Sequence, residues 1–222
     1  MQRSFNSELK YYVPSAQAMG DLGQLLSQRV MLGPVVVAAA AGILSAQSIA
    51  VAGTTTTFAL SSAQTEMGPF GRNVTVVASG ASTATVTVKG RDYLNQKVAE
   101  QFTVNGATPV VGKKAFKVIE SITNTVTAGT TINVGYGSTF GLPYKTVSVA
   151  REYADNVVAS AGTLVAPDFT DPATLTTGDP RGTYTPTTTP NGTKVIEVQC
   201  ELSNFVNAAN NGGLHGIKHF NA

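Results

Sequence analysis

At 222 residues the chain can bury an ordinary core as one all-β domain with an arm, or as two small domains, without disulfides. Charged residues make up only 13% of it, about half the usual share, with a net charge of +2. Lys113-Lys114 is the only adjacent basic pair, so no stripe tracks a phosphate backbone and no nucleic-acid partner is expected. A surface so poor in charge suits permanent contacts with neighbours, which predicts an assembly protein.

Residues 1–33 read as an N-terminal arm: three of the four methionines, Tyr11, Tyr12 and several glutamines, with few β-branched residues. Its start lacks the charged-then-apolar order of a signal peptide. Leu22, Leu25, Leu26 and Val30 fall near one face at helical spacing, and Gly33-Pro34 would stop such a helix. The apolar stretch from Val35 to Ala52 is broken by Gly42, Ser45, Gln47 and Ser48, so no membrane partner is expected.

Residues 34–203 carry short β-branched runs separated by turn residues, which predicts an all-β fold, a β-sandwich or jelly-roll-like domain of about ten strands. Residues 73–78 and 83–89 alternate Val with Thr, with Ser79-Gly80-Ala81-Ser82 read as a hairpin turn between them. A second hairpin is expected where residues 85–90 and 98–104 flank Asp92 and Asn95. Further strands are expected at 115–127, 130–135, 145–151, 157–165 and 194–201.

Residues 166–192 hold five prolines and read as a long Pro/Thr-rich loop, ending in an Asn191-Gly192 turn. The Asn- and Gly-rich tail 204–222 is expected to hold little regular structure. Cys200 stands alone and cannot form an intrachain disulfide; a small buried apolar residue on a strand is its expected role, in a chain assembled in a cytoplasm.

No residue pattern points to catalysis, and no cofactor is expected. His215 and His219 have the spacing of metal ligands on a helix, but Gly216 and the lack of nearby acids favour a surface or interface pair. No Gly-x-Ser-x-Gly elbow accompanies them. The glycines of 134–141 fit neither phosphate-loop nor dinucleotide spacing and read as a bend after a strand. Asp168, Asp171 and Asp179 lie in the Pro-rich loop, where acids commonly end turns, and the chain has no Trp to form a sugar platform. The string Asp179-Pro180-Arg181-Gly182-Thr183-Tyr184 reads equally as a turn and as an interface anchor.

Gly71-Arg72-Asn73-Val74-Thr75-Val76-Val77, followed by Thr85-Val86-Thr87-Val88-Lys89-Gly90-Arg91-Asp92 and a Tyr93-Leu94-Asn95-Gln96 hairpin tip, resembles a pattern of tailed-phage virion proteins. The resemblance continues through Pro109–Lys117, Ile132–Gly137 and Phe140–Tyr144, covering roughly residues 40–184. It implies a non-enzymatic capsid decoration (cement) or head-fibre protein on the outer capsid surface, binding the major capsid protein and itself, as a homotrimer. Tyr11, Tyr12, Phe140, Leu142, Tyr144, Arg181 and Tyr184 are the expected interface anchors. A tail or head–tail junction component and a receptor- or glycan-binding module are the alternatives.

Overall fold

A computed structural model describes residues 26–48, 55–58, 65–81, 84–125, 131–202 and 213–219. Tyr11, Tyr12 and the rest of the proposed arm up to residue 25 lie outside the described residues, as does much of the tail. The described part is nearly all β, in antiparallel sheets of a sandwich-like domain, as the alternating Val/Thr runs require.

The strands are, in chain order, β1 (Leu26–Gly33), β2 (Ala39–Ser48), β3 (Thr55–Phe58), β4 (Arg72–Ala78) and β5 (Thr85–Arg91). They continue with β6 (Lys97–Thr103), β7 (Val110–Phe116), β8 (Val118–Thr125), β9 (Thr131–Gly141) and β10 (Thr146–Ala154). Three short strands, β11 (Val157–Ala159), β12 (Thr163–Val165) and β13 (Thr183–Thr185), precede β14 (Ile196–Leu202). One sheet runs β1-β14-β10-β11, a second runs β12-β13-β9-β4-β7 with β2 also on β9, and a third runs β3-β8-β5-β6.

Two apolar cores lie between these sheets. Val74, Val76, Val86, Val88, Phe102, Ile122 and Val134 belong to the first, formed by the second and third sheets. Val30, Leu32, Phe140, Leu142, Tyr184, Val198 and Cys200 belong to the other. Strand β9 contributes to both, with Ile132, Val134 and Tyr136 in one and Phe140 in the other. The guanidinium of Arg72 lies at the joint, 4.7 Å from the Tyr136 ring and 5.1 Å from Phe140. It donates to Gly137 O, Val36 O and Glu66 O, so the buried cation ties two irregular segments to β9.

Several expectations need correction. The helical reading of 22–30 fails at β1, where buried Val30 and Leu32 alternate with exposed Arg29 and Met31: the period is two because β1 pairs with β14 along its length. Residues 26–33, expected in the arm, are therefore part of the domain. The hairpin expected across residues 79–82 does not form, since β4 and β5 belong to different sheets. The expected strand 115–127 breaks at Lys117 into β7 and β8, and the glycines of 135–141 continue β9 instead of bending it. Loop 166–192 contains β13. The 85–104 hairpin forms as expected, with Asp92 Oδ1 accepting from Leu94 N and Gln96 N in its turn. Cys200 is free and buried on β14, as read from its sequence.

Gly135 shows why β9 carries glycines: a Cβ there would lie 1.8 Å from Ala39 O and 2.5 Å from the Ala40 carbonyl carbon. Strand β2 could pair with β9 only by moving its backbone. Gly135→Ala is expected to lower the urea midpoint by an amount equivalent to about 2 kcal/mol or more, with the m-value unchanged; equilibrium denaturation checks this.

Candidate functional site

The ladder between β4 and β7 is interrupted between Ala115 and Val111, and the amides freed there go to carboxylates in place of a strand. Glu100 of β6 accepts from Lys113 N at 2.6 Å and Lys114 N at 3.3 Å, while Asp179 accepts from Ala115 N at 3.1 Å. Gly112 leaves room for this, since a Cβ would stand 2.8 Å from Glu100 Oε2. Burial pushes the Glu100 carboxyl up to about 7, although both amides and Lys114 favour its charge.

Lys114, fully buried beside this bulge, donates from Nζ to Ala99 O, to Thr174 O of the Pro-rich loop at 2.6 Å, and to His219 O. Desolvation lowers its pKa. Arg181 works in the same way: Nε donates to Leu142 O, and one terminal nitrogen reaches Asp92 Oδ2 at 2.9 Å and His219 Nε2 at 2.8 Å. Asp179 faces the same imidazole at 3.5 Å. Arg181 and His219 are no more than 1% exposed, so these groups form a closed polar knot that no solute reaches while the fold is intact.

Tyr93 separates the knot from an open cleft. Its ring has the Arg181 guanidinium 5.0 Å away and Phe70 edge-on at 5.4 Å. The hydroxyl donates to Pro143 O and stands 3.2 Å from His215 Nδ1; burial pushes its pKa up to about 12. The cleft has a volume of about 360 Å³, and Phe70, Tyr93, Tyr144, His215, Met31 and Arg29 contribute to its walls. Its walls are mostly apolar with a few polar groups.

Of the expected interface anchors among the described residues, only Tyr144 lines this cleft, half-buried and 5.4 Å from the His215 ring. Phe140, Leu142 and Tyr184 are at most 1% exposed in the second core, and Arg181 lies in the knot, so their surfaces are already covered by their own chain. This corrects their reading as anchors. They are the large apolar residues next to turns, and turn position alone does not separate a core residue from a contact point. The 179–184 string takes its turn reading, with Gly182 N bonded to Asp179 O and Gly182 at φ +84°. His219 is buried, which corrects its surface reading; among the described residues no His, Cys, Asp and Glu group is placed to hold a metal.

Arg29, Phe70, Tyr93 and His215 come to the cleft from four distant stretches of sequence. Tyr93, at the tip of a recognisable hairpin, is the one with a local signal. The others are placed by packing alone.

Glu100 has a folded pKa above its unfolded value, so its contribution to stability is fully present below about 4.5 and is lost as pH rises through about 7. Relative to Glu100→Gln, the native chain is expected to lose about 3 kcal/mol between pH 4.5 and pH 8. Urea denaturation of both at the two pH values checks this, and parallel curves would contradict it.

Among the described residues no helix is long and apolar enough to cross a membrane. No family model, curated protein or solved structure matches this chain.

Proposed function

We propose that this chain is a non-enzymatic structural subunit that decorates the outside of a phage head, binding the major capsid protein and further copies of itself. The observation that carries this reading is the stretch 157–165. Strands β11 and β12 each end a sheet, and Val157, Val158 and Val165 stand 68%, 58% and 54% exposed on them. Unpaired strand edges offer backbone donors and acceptors to a neighbour, and exposed valines add apolar area; these edges are short, three residues each, but carry neither charge nor proline.

Charge distribution supports the same reading. Arg72, Asp92, Glu100, Lys114, Lys145, Glu152, Asp179 and Arg181 are all buried, so a chain already poor in charge presents still less of it outside. Such a surface resists association weakly and is suited to being covered. The sequence resemblance to virion proteins adds the identity of the lattice, and many weak contacts repeated over a shell give a cement protein its strength.

The aromatic cleft favours a second reading, a module that binds a receptor glycan: aromatic faces beside Arg29, His215 and Tyr144 suit a sugar ring. Loss of a glycan-array signal in Tyr144→Ala would support it, and an array blank for the native chain would retire it.

For the leading reading, the double variant Val158→Lys/Val165→Lys is expected to fold normally by circular dichroism yet bind phage heads at least tenfold more weakly in co-sedimentation. Equal binding by the variant, or a native chain that never associates with heads or itself, overturns the reading.

A further inference from the structure

The segment 213–219 closes one side of the cleft and reaches into the knot, held by polar contacts and by Leu214, which packs on the second core. Leu214 O accepts from Lys145 N at 2.9 Å, and His215 Nδ1 lies 3.2 Å from both Pro143 O and the Tyr93 hydroxyl. Gly216, at φ +76°, passes so close to Pro180 that a Cβ would stand 2.4 Å from its carbonyl oxygen. Ile217 is buried, and His219 ends the described segment with its ring in the knot.

Geometry fixes the charge state this arrangement accepts. Arg181 has only donors, so the 2.8 Å contact to His219 Nε2 requires a lone pair there and a neutral ring with its proton on Nδ1. Among the described residues that buried Nδ1 has no hydrogen-bond partner, nor has Nη1 of Arg181. A buried network left partly unsatisfied is a weak closure, because each orphaned group favours a state in which water reaches it.

Every element packed around the ring contributes charge. Asp92 comes from the β5–β6 turn, Asp179 and Arg181 from the Pro-rich loop, and Lys114 from β7, with Glu100 of β6 bonded to the amide of Lys114. The carboxylates lie 3.5 and 3.7 Å from Nε2, farther than the guanidinium. A proton added at Nε2 therefore meets the Arg181 cation first.

We propose that residues 213–219 are an acid-released clasp, in which protonation of His219 ejects its ring from the knot and withdraws His215 from the wall of the cleft. The cleft with His215 in its wall is thus a neutral-pH state of the molecule, whatever it binds. Burial first, and then Arg181, hold the His219 pKa down at about 4 against the pull of Asp179 and Asp92. Because the folded value lies below the ordinary 6.5, the closed form is fully favoured above 6.5 and loses its advantage as pH falls through about 4. Over that window the opening equilibrium rises tenfold per pH unit, roughly 300-fold in all.

Amide hydrogen exchange on the full chain, corrected for intrinsic rates, tests this between pH 7 and pH 4. The expected result is that protection of a peptide spanning 213–219 falls by about two orders of magnitude while β4 and β9 stay protected. His219→Gln, which keeps an acceptor for Arg181 but does not titrate, should abolish the pH dependence. Constant protection in the native chain, loss shared equally with β9, or an unchanged pH profile in the variant each overturns the proposal. Should the variant not fold, the His219 ring resonance of the native chain decides: titration well below 6.5 together with loss of protection supports the clasp, and titration near 6.5 with the segment still protected overturns it.

Discussion

Three of the buried cations, Arg72, Lys114 and Arg181, hold together what the strands do not. A strand satisfies its backbone through its ladder, but an irregular segment packed against it brings carbonyls that need donors, and a buried carbonyl without one is costly. Arg72 answers Val36, Glu66 and Gly137; Lys114 answers Ala99, Thr174 and His219; Arg181 answers Leu142 and bonds Asp92 and His219. Each side chain spans segments far apart in sequence. Removing any one leaves several groups buried and unpaired at once, which is why such networks fail as units.

Carboxylates play the complementary part. Glu100 and Asp179 accept amides at the bulge of β7, and Glu152 accepts from the Tyr184 hydroxyl and from Thr187 N and Thr188 N, fixing the far side of the Pro-rich loop. A loop with five prolines lacks many amide donors of its own, so its order comes from contacts supplied by the domain it crosses. Acids and bases scarce in the sequence are thus used inside the molecule. Fewer charges are left for the outside, which links the internal bonding to the proposed role in a lattice.

Strand β9 shows how two cores share one element. Gly135 and Gly137 allow β2 and the Asn73 side chain to approach its backbone, where a Cβ would stand 1.8 Å from Ala39 O and 2.3 Å from Asn73 Oδ1. The cleft forms beside this junction, between β1, the turn after residue 67, the hairpin tip and the 213–215 turn. Its walls come from pieces that meet only when both cores are built, so the cleft depends on the same cations as the fold.

By itself the sequence determined the β class, the strands whose Val/Thr alternation is strict, the hairpin around Asp92, the turn at Asp179–Gly182 and the burial of Cys200. These are local properties: a period of two or a turn residue acts within a few positions. Only the tertiary structure decided that 26–33 is a strand, that β4 and β5 part into different sheets, that Phe140, Leu142, Arg181 and Tyr184 are internal, and that His215 and Tyr93 meet in a cleft. Pairing partner, burial of a charge and the face a turn presents are set by residues distant in the chain. Short-range pattern holds no record of them.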